Sequence, residues 1–164
     1  MEVQNYGVDS LKKYPFNYSM ITPDLLMGTT PHGENFKTLK DLNVGLIINM
    51  RAEHRPLKPP DNIQFIWLPN FDSKYFPIRP KHLINTVTKA NQILDSYKKL
   101  YIYCRAGRHR SLVMTAAILI SRGYTAEAAI NLITSKRQVA DPEAEHIKRA
   151  VFDFESYWHS RLNA

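Results

Sequence analysis

The chain has 164 residues, with 22 Lys and Arg against 15 Asp and Glu and a formal charge of +7. That length suits a single domain, here read as residues 1–164, which buries roughly two-thirds of its surface on folding and needs no staple. The lone cysteine excludes an internal disulfide framework and a cysteine-rich zinc site.

The hydrophobic share of 44% and charged share of 23% are ordinary for a soluble globular protein. No run approaches the ~18 apolar residues of a membrane span, and the first residues lack the apolar core of a signal peptide. A reducing, cytoplasmic location is therefore the expectation. The basic balance, with a pI of about 9.5, implies attraction to anions such as nucleic acid, anionic lipid or phosphorylated substrate, without choosing among them.

Residues 1–18 are polar and aromatic without a period, and are read as a lead-in that packs by its tyrosines. Residues 19–28 predict short strands around a turn at Pro23-Asp24. Phe36, Leu39 and Leu42 recur every third residue and predict a short helix over 33–42. Val44 to Met50 is a short apolar run that suits a strand buried on both faces. Residues 51–62 form a proline-rich loop, and Ile63 to Leu68 a second strand ended by Pro69. Pro80 opens a helix whose Leu83, Val87, Ala90, Leu94 and Tyr97 share one face.

Leu100 to Tyr103 is a third short strand. Arg110 to Ser121 reads as a helix closed by Gly123. Thr125 caps the next helix, with Ala129, Leu132 and Ile133 inward. Asp141-Pro142 reads as the start of a last helix carrying Ile147, Val151, Phe154 and Trp158. Buried strands alternating with helices predict an α/β domain around a mostly parallel sheet flanked by helices.

The informative stretch is Tyr103-Cys104-Arg105-Ala106-Gly107-Arg108-His109-Arg110-Ser111. A buried strand ends at the only cysteine, and a short loop leads into a helix. Such a junction turns backbone N–H groups and the positive helix end toward one spot, which suits a tetrahedral oxyanion. Gly107 permits the tight backbone path. Arg110 offers a planar fork for two phosphate oxygens. The same field favours the Cys104 thiolate, placed for in-line attack on phosphorus.

This segment resembles the signature of cysteine-dependent protein tyrosine and dual-specificity phosphatases: Cys, five residues, Arg, then Ser or Thr. The resemblance runs from about Ile21 to Trp158, and the length matches small members of the family. It implies a protein-tyrosine-phosphatase-like fold and a metal-free, cofactor-free reaction. By the same resemblance Cys104 is the nucleophile, Arg110 the phosphate clamp and Ser111 the group that helps the thiolate leave. Arg105, Ala106, Gly107, Arg108 and His109 are the substrate-binding loop. Tyr103 departs from the family, which usually has histidine there.

The family's general acid sits on a loop upstream, and Asp72, thirty-two residues before Cys104, fits it. Asp61 is a rival that precedes a strand and so falls at the wrong end of the sheet; Asp95 lies within a helix. Arg51 and Glu53 follow the first buried strand. Ligands collect at the carboxyl ends of parallel strands, which makes Arg51 a candidate to approach the site, but a solvated loop charge is the preferred reading. His146, His159, His82 and Asn85 are read as structural or solvent-facing, without ligand-like partners.

The leading reading is a dual-specificity protein phosphatase working through a phosphocysteine. Arg105 and Arg108 beside the clamp resemble the loop of phosphoinositide and phosphatidylglycerophosphate phosphatases, so a lipid or inositol phosphate substrate is the alternative. An inactive phosphate-binding relative is a third reading. A rhodanese-like sulfurtransferase is a fourth, weakened because its closing arginine would fall at His109. The partner expected is a phosphorylated protein or a polyanionic phospholipid or inositol phosphate. Peripheral membrane contact is compatible with the charge. No nucleic-acid motif is present.

Overall fold

A computed structural model describes residues 13–53, 59–60 and 62–164. Among them are five strands, β1 (Tyr18–Thr22), β2 (Leu25–Gly28), β3 (Val44–Arg51), β4 (Gln64–Asn70) and β5 (Lys99–Tyr103). The helices are α1 (Asn35–Asp41), α2 (Pro80–Asp95), α3 (Arg110–Ser121), α4 (Ala126–Lys136) and α5 (Glu145–Leu162). The strand order is β1-β2-β5-β3-β4. β1 pairs antiparallel with β2, and every other pairing is parallel.

β5 is therefore the central strand, and alternation along it divides the core. Ile102 and Cys104 face one apolar cluster with Leu83, Val87, Leu112, Ile118, Ile133 and Phe154 from α2 to α5. Tyr101 and Tyr103 face the other, with Leu26, Ile47 and Leu39 of α1. This is the side-chain period of two expected of a strand buried on both faces. Helix α3 crosses the first cluster with every residue from Arg110 to Ile120 buried. A helix apolar all round belongs in a core, and each fully buried Leu or Ile there contributes about 1.5–3 kcal/mol. Gly123, at φ +102°, ends α3 as expected, its N–H reaching the Ile120 carbonyl.

Three boundaries differ from the sequence expectation. β4 continues through Pro69 to Asn70. β4 is an edge strand, where a proline without N–H is tolerated. Tyr97 is not on the apolar face of α2: the helix stops at Asp95, and Tyr97 turns to φ +60° and is 92% exposed. Asp141-Pro142 does not open α5, which starts at Glu145 after Ala144; Asp141 is instead drawn to the loop after Cys104.

The lead-in packs through Phe16 and Tyr18, which lie against the Tyr101 cluster; residues 1–12 fall outside the described residues, as do 54–58 of the proline-rich loop. Among the described residues, no helix is long and apolar enough to cross a membrane.

Candidate active site

Four parallel strands deliver their carboxyl ends to one edge of the sheet. β2 leads to Thr29 and Thr30, β5 to Cys104, β3 to Arg51 and Glu53, and β4 to Asp72. A cavity of about 350 Å³ opens there, its wall including Cys104, Arg108, Arg110, Glu53 and Asp72.

Cys104 is 3% exposed, and its Sγ lies 3.1 Å from Ser111 Oγ. Burial by itself would push the thiol up. The Arg110 charge, the Ser111 hydroxyl, and the N–H groups of Ser111 and Arg108 outweigh it, and the thiol ionises below its ordinary range. Gly107 adopts φ +59°, and a Cβ there would come within 2.5 Å of Arg137 and 2.6 Å of the Gly28 carbonyl oxygen. Only glycine fits this bend.

Arg137, at the end of α4, is buried and fixes the loop. Its Nε donates to the Gly107 carbonyl at 2.6 Å, and its Nη2 to the Ala106 carbonyl at 3.3 Å and Asn17 Oδ1 at 2.8 Å. Thr30 supports the cysteine from the other side, with its hydroxyl 3.5 Å from the Cys104 carbonyl and accepting from Arg51 at 2.8 Å.

Arg110 is 4% exposed and gripped by both oxygens of Glu53, at 2.6 and 2.9 Å, and by the Asn70 carbonyl at 2.9 Å. Its Nε has no partner. A buried guanidinium N–H without an acceptor is costly, and an anion in the cavity would satisfy it. Glu53 is held well below the usual carboxylate range, at about 2: burial opposes ionisation, but the Arg110 hydrogen bonds, a backbone N–H, and the Arg110 and Arg51 charges overcome it. Arg51 is 4% exposed and donates to Glu53 at 3.1 Å. The expectation of a solvated loop charge thus fails for Arg51, which ends β3 buried against Thr30; Glu53 keeps its side chain 37% exposed but is tied to both Arg51 and Arg110.

Asp72 accepts from both sides. Its Oδ2 is 2.8 Å from His109 Nδ1, and its Oδ1 is 2.8 Å from His146 Nε2 on α5. Burial opposes its charge, but the two imidazole bonds win and hold it at about 2. His109 is raised chiefly by the Asp72 hydrogen bond, and its Nε2 lies 3.3 Å from Asp141 Oδ2. His146 therefore does have partners, contrary to expectation: the turn before α5 brings it against the Asp72 loop.

Arg108 is exposed and donates to Asp141 at 2.8 Å. Arg105 is exposed and lies over the Tyr14 ring at 5.5 Å. Tyr103 is packed in the opposite cluster, stacked on Tyr101, and burial raises its hydroxyl. Of the rival carboxylates, Asp95 sits at the other end of β5, 69% exposed and paired with Arg122, and Asp61 lies outside the described residues. His82, Asn85 and His159 are exposed. Sequence reasoning missed Thr30, Arg137 and Asp141 at this edge, and nothing local to those residues marks them.

Residues 25–156 match the family model for the dual specificity phosphatase catalytic domain. The chain is 30% identical over 119 residues to the inositol diphosphatase DSP3 of Arabidopsis thaliana, covering 68% of this chain and 57% of that protein. It is 25% identical over 133 residues to dual specificity protein phosphatase 1 of the same plant, covering 80% and 66%. It thus spans less than two-thirds of either relative. The crystal structure of human DUSP28 superimposes with a TM-score of 0.78 at 21% identity, covering 87% of this chain and 99% of that one. That of PTPMT1 in complex with PI(5)P gives 0.77 at 24%, covering 88% and 98%. On the strength of the family match, this chain belongs to the dual specificity phosphatase catalytic domain family.

Proposed function

We propose that the chain hydrolyses phosphate monoesters through a phosphocysteine, as a dual-specificity protein phosphatase. The observation that carries this reading is Cys104, kept ionisable by Arg110 and Ser111 at the wall of a cavity where Arg110 Nε lacks an acceptor. Phosphate is held by Arg110 and the loop N–H groups of 105–110. The Cys104 thiolate attacks phosphorus, so an S–P bond forms as the ester P–O bond breaks in line. The leaving oxygen takes its proton from the Asp72–His109 pair: Asp72, itself ionised, relays the proton that His109 shares with it, and that bond raises His109. His109 and His146 hold that carboxylate at the rim and are the imidazoles nearest to it. Water then hydrolyses the phosphocysteine, and Ser111, 3.1 Å from the sulfur, stabilises the departing thiolate.

This sequence of steps needs no metal and no cofactor. A reducing compartment such as the cytoplasm suits the free thiol.

A protein substrate is favoured over a polyanionic lipid or inositol phosphate because the two extra arginines are already engaged. Arg108 is paired with Asp141, and Arg105 lies over Tyr14. The test is hydrolysis of phosphotyrosine and phosphothreonine peptides by the native chain and by Cys104→Ser. Activity that vanishes in Cys104→Ser, is blocked by vanadate and is not lowered by chelators supports the reading. Retained activity in Cys104→Ser defeats it.

A further inference from the structure

We propose that Asp72, His109 and His146 form a binding site for a zinc-class divalent cation at the rim of the active-site cavity, and that the bound ion blocks turnover. The three residues each offer one ligand atom, and these atoms all lie within 4.8 Å of one another. They are reachable from solvent, with side chains 34%, 18% and 22% exposed.

The donor set is two imidazole nitrogens and a carboxylate oxygen. Such a set selects zinc and its transition-metal neighbours over magnesium or calcium, which prefer all-oxygen shells. Zinc bound at ~2.0–2.1 Å to each donor places tetrahedral ligand atoms about 3.3 Å apart. The two Asp72–histidine contacts are at 2.8 Å, so small side-chain rotations open the site, and the ion replaces the protons that now bridge these atoms.

A second observation points the same way. His109 uses Nδ1 toward Asp72, while its Nε2 faces Asp141 Oδ2 at 3.3 Å. A carboxylate on the far nitrogen of a ligating histidine is the arrangement that fixes the ring and its tautomer in histidine metal sites. Asp141 is in turn held by Arg108 at 2.8 Å. Asp72 and His109 line the Cys104 cavity, and His146 lines an adjoining cleft of about 630 Å³. The fourth coordination position is thus free for water or a substrate oxygen. An ion here takes Asp72 out of use as an acid; that consequence rests on the proposed phosphatase reaction, whereas the site itself does not.

Binding is measured by calorimetry with Zn²⁺ and by the visible spectrum with Co²⁺, on Cys104→Ser so that no thiolate contributes. The expected result is one ion per chain and a cobalt spectrum of nitrogen and oxygen ligation. Adding His146→Gln lowers affinity at least tenfold, and adding Asp141→Asn lowers it ~10–100-fold; melting curves establish that each variant is folded. In the active enzyme, His146→Gln raises the zinc concentration needed for inhibition by a similar factor. No one-to-one binding at 100 µM metal in Cys104→Ser, or binding indifferent to both substitutions, overturns the proposal. Zinc inhibition unchanged by His146→Gln overturns the inhibitory role. If the chain proves to have no phosphatase activity, the binding experiment still decides the site.

Discussion

Glu53, two residues past the end of β3, holds Arg110 with both carboxylate oxygens, at 2.6 and 2.9 Å, across 57 residues of sequence. The Arg110 fork is thereby fixed in orientation, with Nε left over. A planar fork fixed by a carboxylate is a different object from a mobile positive charge. Glu53→Ala is expected to lower kcat/KM about 10²-fold through misplacement of Arg110, while alkylation of Cys104 by iodoacetamide persists. Arg110→Lys, which keeps the charge but loses the fork, is expected to lose most activity. A near-normal rate in either variant would show that charge alone suffices.

The same pair makes stability depend on pH with a defined sign. Glu53 ionises at about 2 in the folded chain against 4.5 ordinarily. A depressed carboxylate contributes stability that is present above the ordinary value and lost as pH falls through the folded one. Urea unfolding should therefore show a stability loss between about pH 4.5 and pH 2, to which Asp72 adds below about pH 3.8, and Glu53→Gln should remove the share due to Glu53. An unchanged slope in that variant would place the dependence elsewhere.

Ser111→Ala removes a hydroxyl 3.1 Å from the Cys104 sulfur. That bond is among the interactions that lower the thiol against burial and favour the thiolate. Because the thiolate is the reactive form, the acid limb of kcat/KM is expected to move to higher pH. Breakdown of the phosphocysteine is expected to slow, so a burst of the first product precedes the steady state. Rapid-mixing kinetics across pH 5–8 checks both effects, and a limb that stays in place would remove Ser111 from thiolate control.

Asp72→Asn is expected to cost ~10²–10⁴-fold on a poor leaving group such as a serine alkoxide. The loss should be much smaller on an activated phenol, which needs little proton donation. Equal losses on both substrates would assign Asp72 a structural task.

Cys104, Arg110 and Ser111 were legible because they sit in one short strand–loop–helix segment, where spacing alone fixes geometry. The fold class was legible for a similar reason: β3, β5 and α3 are apolar runs whose length decides between strand and helix. Glu53, Arg137, Asp141 and His146 were not, since each reaches the site only through the topology of the sheet. Arg137 meets Asn17 across 120 residues and Gly107 across 30, and no local pattern announces such contacts. Tyr97 was misplaced because an apolar spacing continues past the point where the backbone turns left-handed. Tyr103, in place of the family's usual histidine, faces away from Cys104, and Thr30 and Arg137 hold the Cys104, Ala106 and Gly107 carbonyls.

Substrate choice is checked by removing the two arginines that lie outside the clamp. Arg105→Ala with Arg108→Ala is expected to leave hydrolysis of a phosphotyrosine peptide within a few fold. Their engagement with Tyr14 and Asp141 limits what they offer a second anion. A much larger loss on a phosphoinositide than on the peptide, narrowed by added salt because exposed charges are screened, would favour the lipid or inositol phosphate alternative.

Acid-quenching Ser111→Ala during turnover and mapping phosphate by peptide mass spectrometry tests for the covalent intermediate on Cys104. One phosphoryl group is expected on the peptide that holds Cys104, and none in Cys104→Ser. Turnover without phosphate on Cys104, or turnover that survives in Cys104→Ser, would contradict the intermediate.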